Sequence, residues 1–518
     1  MTPKLDKKET VFRNQYIFAC DAKAVNLDNT LINLFMLMRN NGAKIKLKLR
    51  STHHTIDELV NRVFVQEQLG NIHGVKENMD AVKAWLRSNL TNMVFRGNMV
   101  KENVSSLRPM HIEAYRIRNM KYIRDYNSSD QVYLMLSKQP NVLKSLKQYL
   151  SLGWDEGSRQ IINNKQLDVD TVGILHLIGG IEVDMRVATS ISRIRPLLEE
   201  QADLFCDDIR RLLIYKEVIP RSVFIDYLKT LIGFHLSLYF QKLIHLLPKM
   251  IEAGTRNIED DWRIVVDVTD NLSSNISEIA CKDMERTLNG LSAYIKATME
   301  VNAVMVRPDY LAGDFDSIDQ MLSEIKNRTE KFEAYYESKY ADILARFSDD
   351  EENTAAEYRK QLNDYLKYEK SYFDRYVQCV FMLKGNYQYR YSHDFIDKVS
   401  MKNQENAFMA DGRSRKHPRR AVIGSGLLEV LVQLLVLEPE NDTYQSKPLS
   451  IEELIGKIRT RYGIIIDGTN EERFKNTDVQ THLAFKENKE AFKNKLRQIG
   501  FYNDLSDAYI LQKIRPRY

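Results

Sequence analysis

Apolar residues recur at three- and four-residue intervals through most of this chain, the period of a helix with one buried face. The pattern is sharpest after residue 424. Leu427, Leu428, Leu431, Leu434 and Leu435 mark a helix whose start is loosened by Gly424 and Gly426, with Ser425 as candidate N-cap and Pro439 closing it. Ser450 stands three residues before Glu453, the spacing of a capping box, and Ile451, Leu454, Ile455 and Ile458 form the apolar face behind it. Gly463 ends that helix, and 464–466 then reads as a short β-branched strand before an Asp467-Gly468 turn. A third helix is predicted over 489–499, with Phe492, Leu496 and Ile499 inward and Gly500 as its stop. Residues 501–518 break into strand-like pieces about Asn503 and Asp504. Helix, helix, short strand, basic helix and hairpin is the order of a winged helix-turn-helix.

The chain ahead of residue 401 also patterns mainly as helix. Helices are predicted over 28–38, over 56–69 with Thr55 as cap, over 74–90 and over 107–123. A helix over 171–178 takes Asp168 or Asp170 as its cap and stops at Gly179-Gly180, and a long helix or helix pair covers 185–215. Pro220 separates it from an apolar helix over 223–247, and Trp262 to Val268 reads as a strand. Two long charged helices, 315–347 and 353–383, then run antiparallel across an acidic turn as a tyrosine-rich hairpin or arm. Residues 386–391 read as a strand or linker. The expected architecture is mainly α and multi-domain. It comprises an N-terminal helical domain (1–160), a central helical domain with one strand (161–312), a long helical hairpin (313–400) and a winged-helix domain (401–518).

Composition agrees with that architecture. Only 11 Pro and 21 Gly in 518 residues leave few helix breaks, and 43% hydrophobic with 28% charged residues is the balance of a soluble globular chain. Cys20, Cys206, Cys281 and Cys379 are too sparse for a disulfide framework and lack metal-ligand spacing, which suits a reducing cytoplasm. The N-terminus has charges but no apolar run of the kind a signal peptide carries. Within 223–247, the uncharged part from Thr230 to Gln241 is too short for a membrane span, and His235 and His245 lie too far apart in sequence for a helical ligand pair. No cofactor, metal or membrane is expected.

Charge changes the picture more. The chain carries 75 Lys and Arg against 71 Asp and Glu; from Met401 onward the tally is 20 against 16, so the whole excess of +4 lies there. A positive excess confined to one module points to an anionic partner. The candidate nucleic-acid contacts are Lys489, Lys493, Lys495 and Arg497 on the third helix, the loop residues Arg413, Arg415, Lys416, Arg419 and Arg420, and Arg515 and Arg517 near the end. Lysines meet phosphate as point charges, and only Asn494 and Gln498 are placed for base reading. Weak, largely sequence-independent binding to double-stranded DNA is therefore expected. Earlier in the chain, Arg116, Arg118, Lys121 and Arg124 interleave with Tyr115 and Tyr122, either against a phosphate backbone or on a solvated helix face.

Catalytic signatures do not emerge. The sequence has no phosphate loop, no H-E-x-x-H, no C-x-x-C, no G-x-S-x-G and no dinucleotide fingerprint after a strand. Asp267 and Asp270 at a strand end would suit a metal-dependent nuclease, but the same residues suit a turn and a helix cap.

Four stretches, 424–433, 461–464, 499–509 and 514–518, resemble helical accessory proteins encoded in multi-gene bacterial anti-phage systems, in particular the methylation-associated defence systems. The resemblance lies in about the last hundred residues. It implies a subunit working beside separate ATPases, nucleases and methyltransferases, and it implies no catalytic residue. The expected function is a non-enzymatic DNA-binding or scaffolding subunit of such a complex. The alternatives are a metal-dependent nuclease subunit and a winged-helix transcriptional regulator.

Overall fold

The longest apolar run of the sequence becomes the spine of the fold. In the computed structural model, residues 5–48, 55–61, 74–94, 103–162, 167–180, 184–191, 194–308, 318–346, 360, 362–364, 366–369, 371–412, 418–440, 443–502, 513–514 and 517 are described. The helices are α1 (Leu27–Arg39), α2 (Ile56–Leu59), α3 (Met79–Trp85), α4 (Ser128–Ser137), α5 (Pro140–Leu150), α6 (Val169–Gly179), α7 (Glu199–Ile214) and α8 (Arg221–Ala253). After them come α9 (Asn275–Asn289), α10 (Leu291–Met305), α11 (Ile318–Lys326), α12 (Glu330–Ala345), α13 (Tyr372–Val399), α14 (Ser425–Leu435), α15 (Ile451–Tyr462) and α16 (Val479–Gln498). The chain is mainly helical, as its periodicity predicts.

Helix α8 runs for 33 residues, and α1, α7, α10, α11, α13 and α14 pack around it. Its length and composition would let it cross a membrane, which corrects the expectation that the segment is too short. Its most apolar window is 83% buried inside the fold. Gly233 lies where α8 meets the end of α13: a Cβ there would stand 2.7 Å from the Val399 carbonyl oxygen and 2.9 Å from Leu27. Close approach of backbone to helix needs a residue without a side chain at that point.

Strands occur only as short pairs among the described residues. The antiparallel pairs are β1 (Ala43–Lys48) with β6 (Asp184–Ser190), β2 (Thr91–Val94) with β3 (Asn103–Leu107), β4 (Trp154–Asp155) with β5 (Gln160–Ile161), β8 (Met409–Ala410) with β9 (Arg420–Ala421), and the hairpin β10 (Leu437–Glu440) with β11 (Thr443–Ser446). Within 262–268, Ile264–Val265 is the strand β7, and it pairs in parallel with β12 (Ile464–Ile465) from the far end of the chain. Backbone N–H groups of Ile264 and Val266 donate to Gly463 and Ile465, and that of Asp267 donates to Ala421. The C-terminal segment is thus stitched into the centre of the molecule. Its strand pairs with β7, and the strand-like pieces expected over 501–518 lie mostly outside the described residues. Buried apolar side chains from Ile17 to Ile514 form one connected cluster.

Several expected elements take another form. Residues 107–123 are not a helix. Pro109 disfavours helical backbone at Arg108, β3 takes the residues before it, and a single 3-10 turn over Ile112–Arg116 follows. Two of its basic residues face inward, while Lys121 and Arg124 are exposed: Arg118 is 2% exposed and donates to Asn33 Oδ1 and the Ile45 carbonyl, and Arg116 pairs with Glu113. Burial pushes the Arg118 guanidinium down to about 10. The 185–215 run divides at Pro196 into β6 and α7, whose first turn carries Glu199 and Glu200, favoured by the helix dipole. The first arm of the expected hairpin breaks into α11 and α12, where Thr329 caps α12 by accepting from the Phe332 N–H. Of the second arm the described helix begins at Tyr372, with most of 353–371 outside the described residues, and continues to Val399, so 386–391 is helical, not a strand or linker. The tyrosine pattern is partly packing: Tyr336, Tyr340 and Tyr376 are buried.

Candidate nucleic-acid interface

Helix α16 carries the basic positions, and its inward face explains its rigidity. Asp478 caps it by accepting from the Thr481 N–H at 2.8 Å, so the helix begins at Val479 and not near Lys489. Ala484 and Phe485 pack with Val265, Ile276, Ala280 and Ile465 in a small second core, and Phe492 and Leu496 join the main one. Between them, fully buried Asn488 clamps the parallel strands. Its Nδ2 donates to the carbonyls of Val266 and Ile466, both at 2.9 Å, and its Oδ1 accepts from the Val268 N–H at 2.8 Å. Three strand-end groups that would be orphaned in the core are satisfied by one side chain.

With that face fixed inward, the longer helix gathers a stripe the shorter one did not contain. His482, Lys486, Lys489, Lys493 and Arg497 follow one another at four-, three-, four- and four-residue steps, so they share one flank of α16. The stripe is about 22 Å long at the helical rise. Lys486 is exposed and the others are half-buried. Lys489 pairs with Glu452 at 3.1 Å and lies 3.9 Å from Asp467. Lys493 and Arg497 each stand 5.6 Å from the Tyr502 ring centre. Lys486 and Lys493 form no ion pair among the described residues, although Lys493 is near enough to help hold the Glu452 carboxyl below its ordinary range. The signal in the sequence was the aspartate at 478 followed by this spacing. A helix predicted only from Lys489 excludes His482 and Lys486 from the stripe.

The other sequence-predicted contacts are dispersed. Lys495 points the opposite way, is buried, and reaches Asp270 at 3.3 Å. Arg419 forms a two-point pair with Asp397 at 2.7 and 2.9 Å; burial opposes that carboxyl's ionisation, but Arg419 and Lys402 outweigh it and hold it below its ordinary range. Arg420 is buried against Asp267 at 2.8 Å. Arg517 pairs with Glu429 at 2.7 Å and lies over Phe501. Arg413, Arg415, Lys416 and Arg515 lie outside the described residues. Gly424 and Gly426, read as loosening the start of α14, instead allow close packing, since a Cβ on either would run into Glu405 or Asn406.

The aspartate pair does not form a two-carboxylate site. Asp267 is fully buried; its Oδ1 accepts from the Thr269 N–H at 2.8 Å and hydroxyl at 2.7 Å, and its Oδ2 takes Arg420. Asp270 stands out on a left-handed turn with φ 55°. This is turn chemistry. Among the described residues no three His, Cys, Asp or Glu side chains come together as a metal site.

A buried polar network ties α15 to the central helices. Asp208 on α7 accepts from His235 Nε2 at 2.9 Å, from Tyr462 Oη at 2.9 Å and from Arg461 Nε at 3.1 Å. Gln201 Nε2 donates to His235 Nδ1 at 3.0 Å, so both ring nitrogens are engaged and neither is left to act as a general base. Burial opposes ionisation of Asp208, but Arg461 and His235 prevail and hold its carboxyl below the usual range. Asp207 beside it takes Arg461 at 2.6 Å, Arg211 at 2.8 Å and Tyr444 at 2.8 Å.

Among curated proteins no match is found. The family model described as methylation-associated defense system protein MAD7 matches residues 7–518, so the likeness extends far beyond the C-terminal hundred residues that carry it in the sequence. From its N-terminal segment to its last residue, this chain belongs to the MAD7 family of methylation-associated defence system proteins.

Proposed function

We propose that this chain is a non-enzymatic scaffolding subunit of its defence system that holds double-stranded DNA weakly and without sequence preference through the basic stripe of α16. It works in the cytoplasm beside other subunits of the system, such as an ATPase or nuclease. The observation that carries this reading is the stripe itself. Four Lys and Arg positions, with His482, stand in register on one flank of a helix whose inward face is clamped by Asn488 and two cores. A rigid row of point charges suits phosphates and offers little to read bases. The scaffolding part draws support from family membership and from the internal ion pairs that lock Asp267, Asp208 and Arg420 into structural roles.

Binding of the full chain to a labelled duplex across a salt series tests the reading. Affinity should fall with a slope of about −0.9 per phosphate contacted. Lys486→Glu with Lys493→Glu should flatten that slope by about two units and weaken all sequences alike. No binding at low salt, or an unchanged slope in the double reversal, would overturn DNA contact at this stripe. Asp270→Ala should leave any DNA cleavage by the assembled system at its wild-type rate, and its loss would revive the nuclease alternative.

A further inference from the structure

On a different surface, helix α13, the loop before α4 and the segment before α1 bring together exposed or half-buried rings and cations that form no ion pair among the described residues. Tyr387 and Tyr391 are one turn apart on α13, their ring centres 4.3 Å apart and nearly perpendicular, with a hydrogen bond of 2.7 Å between the hydroxyls. Tyr387 is 48% exposed. Arg390 lies 5.7 Å from the Tyr387 centre and 5.5 Å from that of Tyr391. Lys23 stands between Tyr391 and Tyr126, 5.4 and 5.3 Å from their centres.

Two features separate this cluster from the rest of the molecule. Most cations discussed above end on a carboxylate; Lys23 ends on ring faces and Arg390 on ring faces and the Tyr391 hydroxyl, and neither forms an ion pair among the described residues. The acids nearby are otherwise engaged: Asp125 accepts from the Ser129 N–H at 3.1 Å, and Asp21 accepts from Asn127 at 2.9 Å. Asp394, one turn beyond Arg390, makes no pair with it. The cations also sit near the outer limit, about 6 Å, at which a charge is held by a ring face. They can turn to an incoming anion at little cost, leaving the rings for a planar group.

We infer that Tyr387, Tyr391 and Tyr126, with Lys23 and Arg390, form a platform for single-stranded nucleic acid, the rings stacking on bases and the two cations meeting the backbone. Tyr387 is exposed and Tyr391 and Tyr126 are half-buried. Accessible rings beside cations without carboxylate partners are the combination that single strands require, because every base offers a flat face and every linkage a charge. A duplex hides its base faces, so this surface and the α16 stripe select different forms of nucleic acid. The platform does not depend on the stripe.

The test uses the full-length protein and a labelled thymidine oligonucleotide, with the uridine counterpart in parallel. Tyr387→Ala with Tyr391→Ala should weaken oligonucleotide binding by about tenfold or more, the size of one lost base stack. Tyr387→Phe with Tyr391→Phe should retain most of it, since the ring faces remain. Arg390→Glu, an exposed change that leaves both rings in place, should weaken binding and flatten its salt dependence. Lys486→Glu with Lys493→Glu should leave oligonucleotide binding unchanged while affecting the duplex, so the two surfaces fail separately. The inference is overturned if the chain binds neither oligonucleotide, or if the alanine pair and Arg390→Glu both bind like wild type. It is equally overturned if the alanine pair loses another subunit of the system while oligonucleotide binding stays intact, which would make the cluster a protein-docking site.

Discussion

Replacing Arg461 with leucine isolates the contribution of the buried network that fastens the C-terminal segment to the bundle. Among the described residues Arg461 is the one cation hydrogen-bonded to Asp208, whose side chain is fully buried. Removing one partner of a buried pair leaves an uncompensated charge and costs about 3–5 kcal/mol. Asp208 would keep its hydrogen bonds from His235 and Tyr462, and Asp207 would keep Arg211, so the lower end of that range applies. The expected loss is about 3 kcal/mol, a large fraction of the stability of an ordinary domain. Urea unfolding followed by tryptophan fluorescence should show a lower midpoint with little change in slope. Adding Asp208→Asn to Arg461→Leu should cost less than the sum of the two single changes, because the stranded charge is then gone as well. If Arg461→Leu stays within about 0.5 kcal/mol of wild type, the pair behaves like a solvated surface ion pair and the argument from burial is refuted.

Asn488→Leu removes the clamp across β7 and β12 and leaves three buried backbone groups without partners; a loss of several kcal/mol, at about 1–3 kcal/mol per group, should appear as a lower unfolding midpoint, and wild-type stability would refute the clamp. His111 is buried with Nδ1 accepting from the Glu113 N–H, and burial, assisted by Arg221, lowers its pKa to about 3. Its contribution is therefore fully present above the unfolded value of about 6.5 and is lost as pH falls toward the folded value, at about 1.4 kcal/mol per unit. His111→Gln should accordingly lose about 2 kcal/mol less than wild type between about pH 7 and about pH 5; an identical pH dependence in unfolding would refute the assignment.

Local chemistry was legible in the sequence wherever partners lie within one turn of each other. The Thr55 cap, to which the structure adds a box with Glu58, the capping box of Ser450 with Glu453, Asp168 as one of the two candidate caps of α6, and the left-handed Gly463 after α15 all stand where spacing allowed them. Such contacts close over three or four residues, so adjacent letters specify them without reference to the rest of the chain. Helix over most of the length followed for the same reason, since an apolar period names the face that turns inward. A period cannot say what that face meets. β7 and β12 pair across about two hundred residues of intervening sequence, and Asn488 looks like an ordinary polar residue until both strands arrive beside it. A charge tally has the same limit, because it counts cations without their partners. Arg118, Arg420 and Lys495 are consumed in the interior, while Lys486 and Lys493 keep theirs for the surface. Folding alone decided which of them, because a guanidinium or ammonium enters a core only where a carboxylate, carbonyl or ring is already in place to receive it.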